Sequence, residues 1–243
     1  MSEAQFDFLL QKVSPSIQKA DTFLRIALPA KLKLKVTLHY LATGTCFRTL
    51  SALYRVPACS ISLMIPEVCK EIYGVLDEFI KISIFLCDDA FPLRTNILKP
   101  YSGATALNET QLVFNYQLSR GRRFVKNSFG ILVARFRIYE KLIPLSVATT
   151  EQIVKTTCAL HNWLRKTSSN CVPYVEQQLM DLEDWNQGKV VPGKWGSLKN
   201  DGLIDVSTPL SSNNHTKKAA AVRDFCANKF VTTDIVPWQW NMI

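Results

Sequence analysis

The sequence predicts a mainly helical protein with few strands, and three observations predict it. Apolar residues recur at helical spacing through most of residues 1–80 and again from Glu109 onward. Only one short run, Ile82 to Cys87, has strand character. Breakers such as Gly44, Pro57, Pro92, Pro100 and Gly103 separate these stretches.

Leu34, Leu38 and Leu41 share one face of a helix that Gly44 stops. Phe47, Leu50 and Leu53 make a second helical segment, Phe47 to Tyr54, ending near Pro57. Ser60 is expected to cap a third, longer helix whose apolar face carries Ile61, Met64, Ile65, Val68, Ile72, Val75 and Leu76. Three helices joined by tight turns suit a helix-turn-helix-like arrangement as well as a plain bundle. The third helix opens Ser60-Ile61-Ser62-Leu63-Met64-Ile65-Pro66, without the Arg, Lys, Asn or Gln that read base edges, so the plain bundle is favoured.

Ile82 to Cys87 reads as a buried strand whose end at Asp88-Asp89 emerges at a sheet edge. Paired carboxylates there serve a metal or simply open a turn before Pro92. From Glu109 to about Tyr139 the pattern is a long helix, with Leu118, Val125, Phe129, Leu132 and Phe136 forming an apolar stripe. At roughly 100° per residue, Arg122, Arg123, Lys126 and Arg137 fall together on the neighbouring face. Gly121 and Gly130 permit close approach or a bend. A further helix, about Thr150 to Lys166, follows. Beyond it the composition changes. Asp181, Glu183 and Asp184 surround Trp185, then come Gly188, Pro192, Gly193 and Gly196 and the polar run Ser207 to Lys218. That composition predicts a loosely structured tail, with one helix over Ala219 to Phe230 anchored by Trp238 and Trp240. The chain divides into an N-terminal helical region (1–80), a middle region (81–166) and an acidic, polar tail (167–243).

At 243 residues, 47% apolar and 20% charged, the chain has the balance of one sizeable domain or two small ones. The seven cysteines form no CxxC pair and no cluster with His, which favours reduced thiols over a disulfide framework or a zinc module. Glu3 and Asp7 stand where a signal peptide would be basic. The longest apolar stretch, Tyr73 to Cys87, is interrupted by Asp77, Glu78 and Lys81, so no membrane partner is expected. The net charge of +9 is concentrated: residues 81–170 hold thirteen Lys and Arg against five Asp and Glu, while the flanking thirds nearly balance. Such a segment attracts polyanions by releasing counterions, unless it is merely a solvated face.

Three adjoining stretches carry a resemblance. They are Phe85-Leu86-Cys87-Asp88-Asp89-Ala90-Phe91-Pro92-Leu93 with Lys99-Pro100-Tyr101, then Phe114-Asn115-Tyr116-Gln117-Leu118-Ser119-Arg120, then Arg122-Arg123-Phe124-Val125-Lys126-Asn127-Ser128-Phe129-Gly130. In order and spacing they resemble the DDE endonuclease domain of PIF/Harbinger transposases, and Cys158-Ala159-Leu160-His161-Asn162-Trp163-Leu164 is similar to that family's Leu-His-Asn helix. The resemblance covers about residues 34–166. It implies a ribonuclease-H-like α/β core, truncated here to a remnant with few strands. It also implies metal-dependent cleavage of DNA, with magnesium or manganese held by Asp, Asp and Glu, and often a Myb-like DNA-binding partner. A nuclear location follows from that role, with the cytoplasm as the alternative. By position Asp88 matches the second catalytic Asp, and Asp89 is a weaker metal ligand beside it.

The chain also departs from the family. Lys126 stands where the resemblance calls for the Glu, and the stretch carrying the first Asp and the first strands is missing between Ile80 and Ser83. Glu109, Glu140 and Glu151 have no spacing that puts them beside Asp88. The remaining strand is expected to lack partners. The resemblance therefore implies a DDE-type endonuclease impaired in catalysis. The alternative is a non-catalytic DNA- or partner-binding protein using Arg120, Arg122, Arg123, Lys126 and Arg137. His161, on an apolar helix, reads as a core residue ahead of a metal ligand, and His39 and His215 as surface or packing residues.

Overall fold

The computed structural model describes residues 1–23, 26–80, 84–103, 106–168, 181–184, 189–194 and 215–243. They fall into two compact units. The first holds the described residues up to 80 and those from 131 to 168, and the second holds residues 84–130, 181–194 and 215–243. The architecture is mainly helical with short strands, as the sequence predicts.

In the first unit, helix α1 (Glu3–Ile17) begins at a capping box. The Ser2 hydroxyl accepts from the Gln5 N–H, and the Gln5 side chain accepts in return from the Ser2 N–H, satisfying two donors that helix starts leave open. Helix α2 (Ala30–Thr43) stops at Gly44, whose φ of 59° lies in the left-handed region. A Cβ at Gly44 would stand 3.0 Å from the Ile138 Cα, so backbone conformation and space both require glycine. Helix α3 (Phe47–Tyr54) matches its expected limits.

Helix α4 (Ala58–Val75) starts two residues before Ser60. Pro57 occupies the cap position, and its carbonyl accepts from the Ile61 N–H at 3.0 Å. Proline has no N–H to leave unsatisfied and a φ already near helical, so it sets the helix start and leaves Ser60 inside the first turn.

Leu9, Val13 and Ile17 of α1, Leu34 and Leu41 of α2, and Leu50 of α3 close against Ile61, Ile65, Val68 and Ile72 of α4. Helix α6 (Val147–Thr167) adds Ile153, Leu160 and Trp163 to the same core. Each fully buried Leu or Ile here contributes roughly 1.5–3 kcal/mol. Polar ties fix the register of α6: the Thr156 hydroxyl lies 2.8 Å from the Cys69 carbonyl oxygen, and Asn162 Nδ2 donates to the Phe79 carbonyl at 3.0 Å.

In the second unit, strand β1 is only Phe85–Leu86 and pairs in parallel with β2, Ile97–Leu98. The Phe85 N–H donates to Asn96 O and the Cys87 N–H to Leu98 O, each at 2.8 Å. The expectation of a buried strand without a partner is thus corrected twice. The chain doubles back through 88–96 to supply a partner, yet Phe85 and Leu86 stay 46% and 36% exposed because a two-stranded ribbon has little sheet to bury them. Residues 82 and 83 of that predicted strand lie outside the described residues.

Helix α5 (Glu109–Arg135) ends earlier than its pattern predicts. Phe136 leaves helical geometry (φ −118°, ψ 80°), and Arg137 to Glu140 form a 3-10 turn. The predicted apolar stripe is also revised. Leu118, Leu132 and Phe136 are buried, whereas Val125 and Phe129 are 45% and 59% exposed. Val113 and Phe114, which the stripe omitted, are fully buried.

The tail is partly ordered by docking. Leu182–Asp184 (β3) pairs antiparallel with Lys189–Val191 (β4). Helix α7 (Lys217–Thr232), capped by the Thr216 hydroxyl on the Ala219 N–H, packs Ala219 and Ala227 onto Leu93, Leu98, Phe114 and Leu118. Gln239 is fully buried: its Oε1 accepts from Gln117 Nε2 at 2.8 Å and its Nε2 donates to Phe230 O at 3.1 Å. Trp238 Nε1 reaches the Tyr116 hydroxyl at 3.2 Å, while Trp240 is 44% exposed. Trp238 and Gln239 therefore anchor the end of the chain. Trp185, Gly188, Gly196, Cys171 and residues 207–214 of the polar run lie outside the described residues.

Candidate functional site

The site lies in the second unit, where β1 delivers Asp88 and Asp89 and α5 passes alongside. Gly121 permits this approach, since a Cβ there would collide with the Leu86 side chain. Just past the strand, Asp88 Oδ1 accepts from the Ala90 N–H at 3.2 Å, an Asx turn that starts the return toward β2. Its Oδ2 lies 3.4 Å from Nη2 of Arg122, the residue that follows Gly121 on α5. Asp89 is engaged as well: its carboxylate accepts from Lys99 Nζ at 2.9 Å, and Lys99 is itself buried. Burial pushes the Cys87 thiol above its ordinary range; the Asp88 carboxylate adds to that and Arg122 opposes it.

Two further motif residues act as backbone brackets. Asn115 Oδ1 accepts from the Tyr101 N–H at 2.8 Å while its Nδ2 donates to Tyr101 O at 3.1 Å. The Phe114 ring meets the Tyr101 ring edge-on, centroids 5.3 Å apart. The Pro100-Tyr101 and Phe114-Asn115-Tyr116 stretches are thereby locked together. Asn127, buried, does the same to Asp181, accepting from its N–H at 3.1 Å and donating to its carbonyl at 3.3 Å. The Tyr101 hydroxyl in turn donates to Asp224, and the Arg223 guanidinium stacks 3.9 Å from the ring centroid. Burial and the Asp224 carboxylate push the Tyr101 phenol up to about 12.

The five basic residues expected to contact DNA separate in their settings. Arg120 lies over the Phe124 ring at 5.6 Å and the Trp238 ring at 5.4 Å. Arg122 faces Asp88, Arg123 is half-buried, and Lys126 is exposed, with no ion pair among the described residues. Arg137 is not on α5 at all: it sits in the 3-10 turn, its Nε 3.2 Å from Glu140. The exposed ring of Phe124 lies beside Arg120, and that of Phe129 lies about one turn along α5 from Lys126. Spacing put Arg122, Arg123 and Lys126 on one helix with Arg137, which lies beyond its end, and Lys99, Arg223 and Asp224 went unassigned. The only signal for Lys99 was its place in the Lys-Pro-Tyr motif.

The side chains do not suit a pair of divalent cations. A two-metal site needs several carboxylates converging on two ions that stand about 4 Å apart. Here Asp88 already faces a guanidinium and Asp89 an ammonium, and the residue one turn beyond Arg122 on α5 is Lys126. No group of three His, Cys, Asp or Glu side chains among the described residues is placed to hold a metal. Glu140 pairs with Arg137 and Glu151 with Lys155. His161 is buried in the first unit's core, where desolvation, with a contribution from Arg165, pulls its imidazole down to about 4.

No helix among the described residues is long and apolar enough to cross a membrane. No curated protein and no solved structure matches the chain. One family model does: residues 67–162, from the second half of α4 to near the end of α6, match the DDE superfamily endonucleases, and this segment, less than half of the chain, is what the protein shares with them.

Proposed function

We propose that this chain is a DNA-binding derivative of a PIF/Harbinger-type DDE endonuclease, one that no longer cuts on its own. The observation that carries the reading is the Arg122 guanidinium beside the Asp88 carboxylate, the acid that the resemblance assigns to catalysis. The superfamily generally works with a divalent metal. A fixed cation on the surviving acid, with Lys126 where the third acid belongs, replaces the charge that such ions would bring. What remains useful is positive charge next to exposed aromatic rings, Arg120, Arg122, Arg123 and Lys126 with Phe124 and Phe129. Cations neutralise phosphates and release counterions, and rings offer faces to bases. A Myb-like partner and a nuclear location belong to the same reading.

Fluorescence anisotropy with a labelled DNA duplex tests it. Binding should weaken steeply as salt rises, and the double substitution Arg122→Glu with Lys126→Glu should flatten that dependence. Neither magnesium nor manganese should support nicking. Metal-dependent nicking that Asp88→Ala abolishes would restore the enzyme reading.

A further inference from the structure

A second candidate site lies in the first unit. The end of α2, the start of α3 and the segment 138–145 enclose an open cleft of about 670 Å³. That volume falls within the range of small-molecule sites, roughly 300–1,000 Å³. Its walls are chiefly apolar, with Phe47, Ile138, Ile143 and Leu145 among the lining residues. The charged residues that line it are Arg48 and Lys141, both exposed, and no Asp or Glu lines it. Neither cation forms an ion pair among the described residues, so their charge is uncompensated at the mouth of an apolar hollow. Cys46 opens α3 at the same mouth, its Sγ 3.2 Å from the Thr49 hydroxyl. That hydroxyl foremost, then the Thr49 N–H, holds the thiol below its ordinary range despite some desolvation, with Arg48 assisting. This end of the cleft favours negative charge.

We infer that the cleft binds a small organic anion, its apolar body against Phe47, Ile138 and Leu145 and its carboxylate-like head between Arg48 and Lys141. Charge complementarity selects an anion, because a neutral apolar ligand would leave both cations unanswered and a cationic one would be repelled. The inference is independent of the DNA-binding reading, which rests on α5.

The test uses the full chain with decanoate and, as its uncharged counterpart, decanol. Cys46 and Cys59 are both exposed thiols, and only Cys46 lines the cleft. Decanoate should therefore slow iodoacetamide alkylation of Cys46, read by peptide mass spectrometry, and leave Cys59 unchanged. Decanol should protect at least about tenfold less well, the weight of one charge-assisted hydrogen bond. Arg48→Gln with Lys141→Gln should remove that preference for decanoate while leaving the thermal transition in place, since both side chains are exposed. Equal protection by the two ligands, no protection at Cys46, or an unchanged preference in the double variant would overturn the inference. Protection of Cys46 by a DNA duplex but not by decanoate would overturn it too, assigning the cleft to nucleic acid instead.

Discussion

The Arg122 guanidinium stands 3.4 Å from the Asp88 carboxylate, so the one acid that the resemblance assigns to catalysis already has a cationic neighbour. Restoring the missing acid by Lys126→Glu should therefore not restore a metal site. Calorimetric titration with manganese is expected to give no tight binding for the parent or for this variant. Two tight sites in either would refute the argument. Because the pair is about half exposed, Arg122→Ala should change stability by less than about 1 kcal/mol.

Lys126 and Arg137 lie in different settings although their spacing puts both on one helical face. Lys126 is exposed on α5, whereas Arg137 is held by Glu140 beyond the helix end. Lys126→Ala is expected to reduce the slope of log binding constant against log salt by about one. Arg137→Ala should leave it nearly unchanged. The reverse ranking would place the DNA contact elsewhere.

His161 gives the first unit a pH dependence. Its folded value of about 4 lies below the ordinary 6.5, so as pH falls the unfolded chain takes up the proton first. Stability should be fully present above pH ~6.5, decline between there and about 4, and level off below, with a total loss of at most roughly 3 kcal/mol. Denaturant titrations across that window should show the decline, and His161→Gln should flatten it. A slope that survives the substitution would assign it to carboxylates.

Two glycines should respond differently to alanine. At Gly44 the left-handed backbone and the nearby Ile138 Cα cannot yield, and a loss of roughly 1–3 kcal/mol is expected. At Gly121 the obstacle is the tip of the partly exposed Leu86 side chain, which can rotate, and alanine's helix preference of about 1 kcal/mol offsets the adjustment. Thermal melts should show Gly121→Ala within about 1 kcal/mol of the parent.

Asn115 should be sensitive out of proportion to its size. Its removal leaves the Tyr101 N–H and carbonyl without their side-chain partner, and Asn115→Ala should cost about 1–3 kcal/mol. Hydrogen exchange should accelerate at the Tyr101 amide first.

Local chemistry made several features legible in the sequence. Gly44 stopped α2, α3 kept its expected limits, and Ile61, Met64, Ile65, Val68 and Ile72 marked the buried face of α4, because caps and helical periodicity act over a few residues. The sequence by itself also shows a lysine, Lys126, at the position where the resemblance calls for an acid. The tertiary structure alone decided the rest. It paired β1 with β2, exposed Val125 and Phe129 while burying Phe114, turned Asn115 and Asn127 into brackets for Tyr101 and Asp181, and brought Arg122 to Asp88. These depend on residues tens of positions apart meeting in space, and helical spacing says which residues share a face but not what that face will meet.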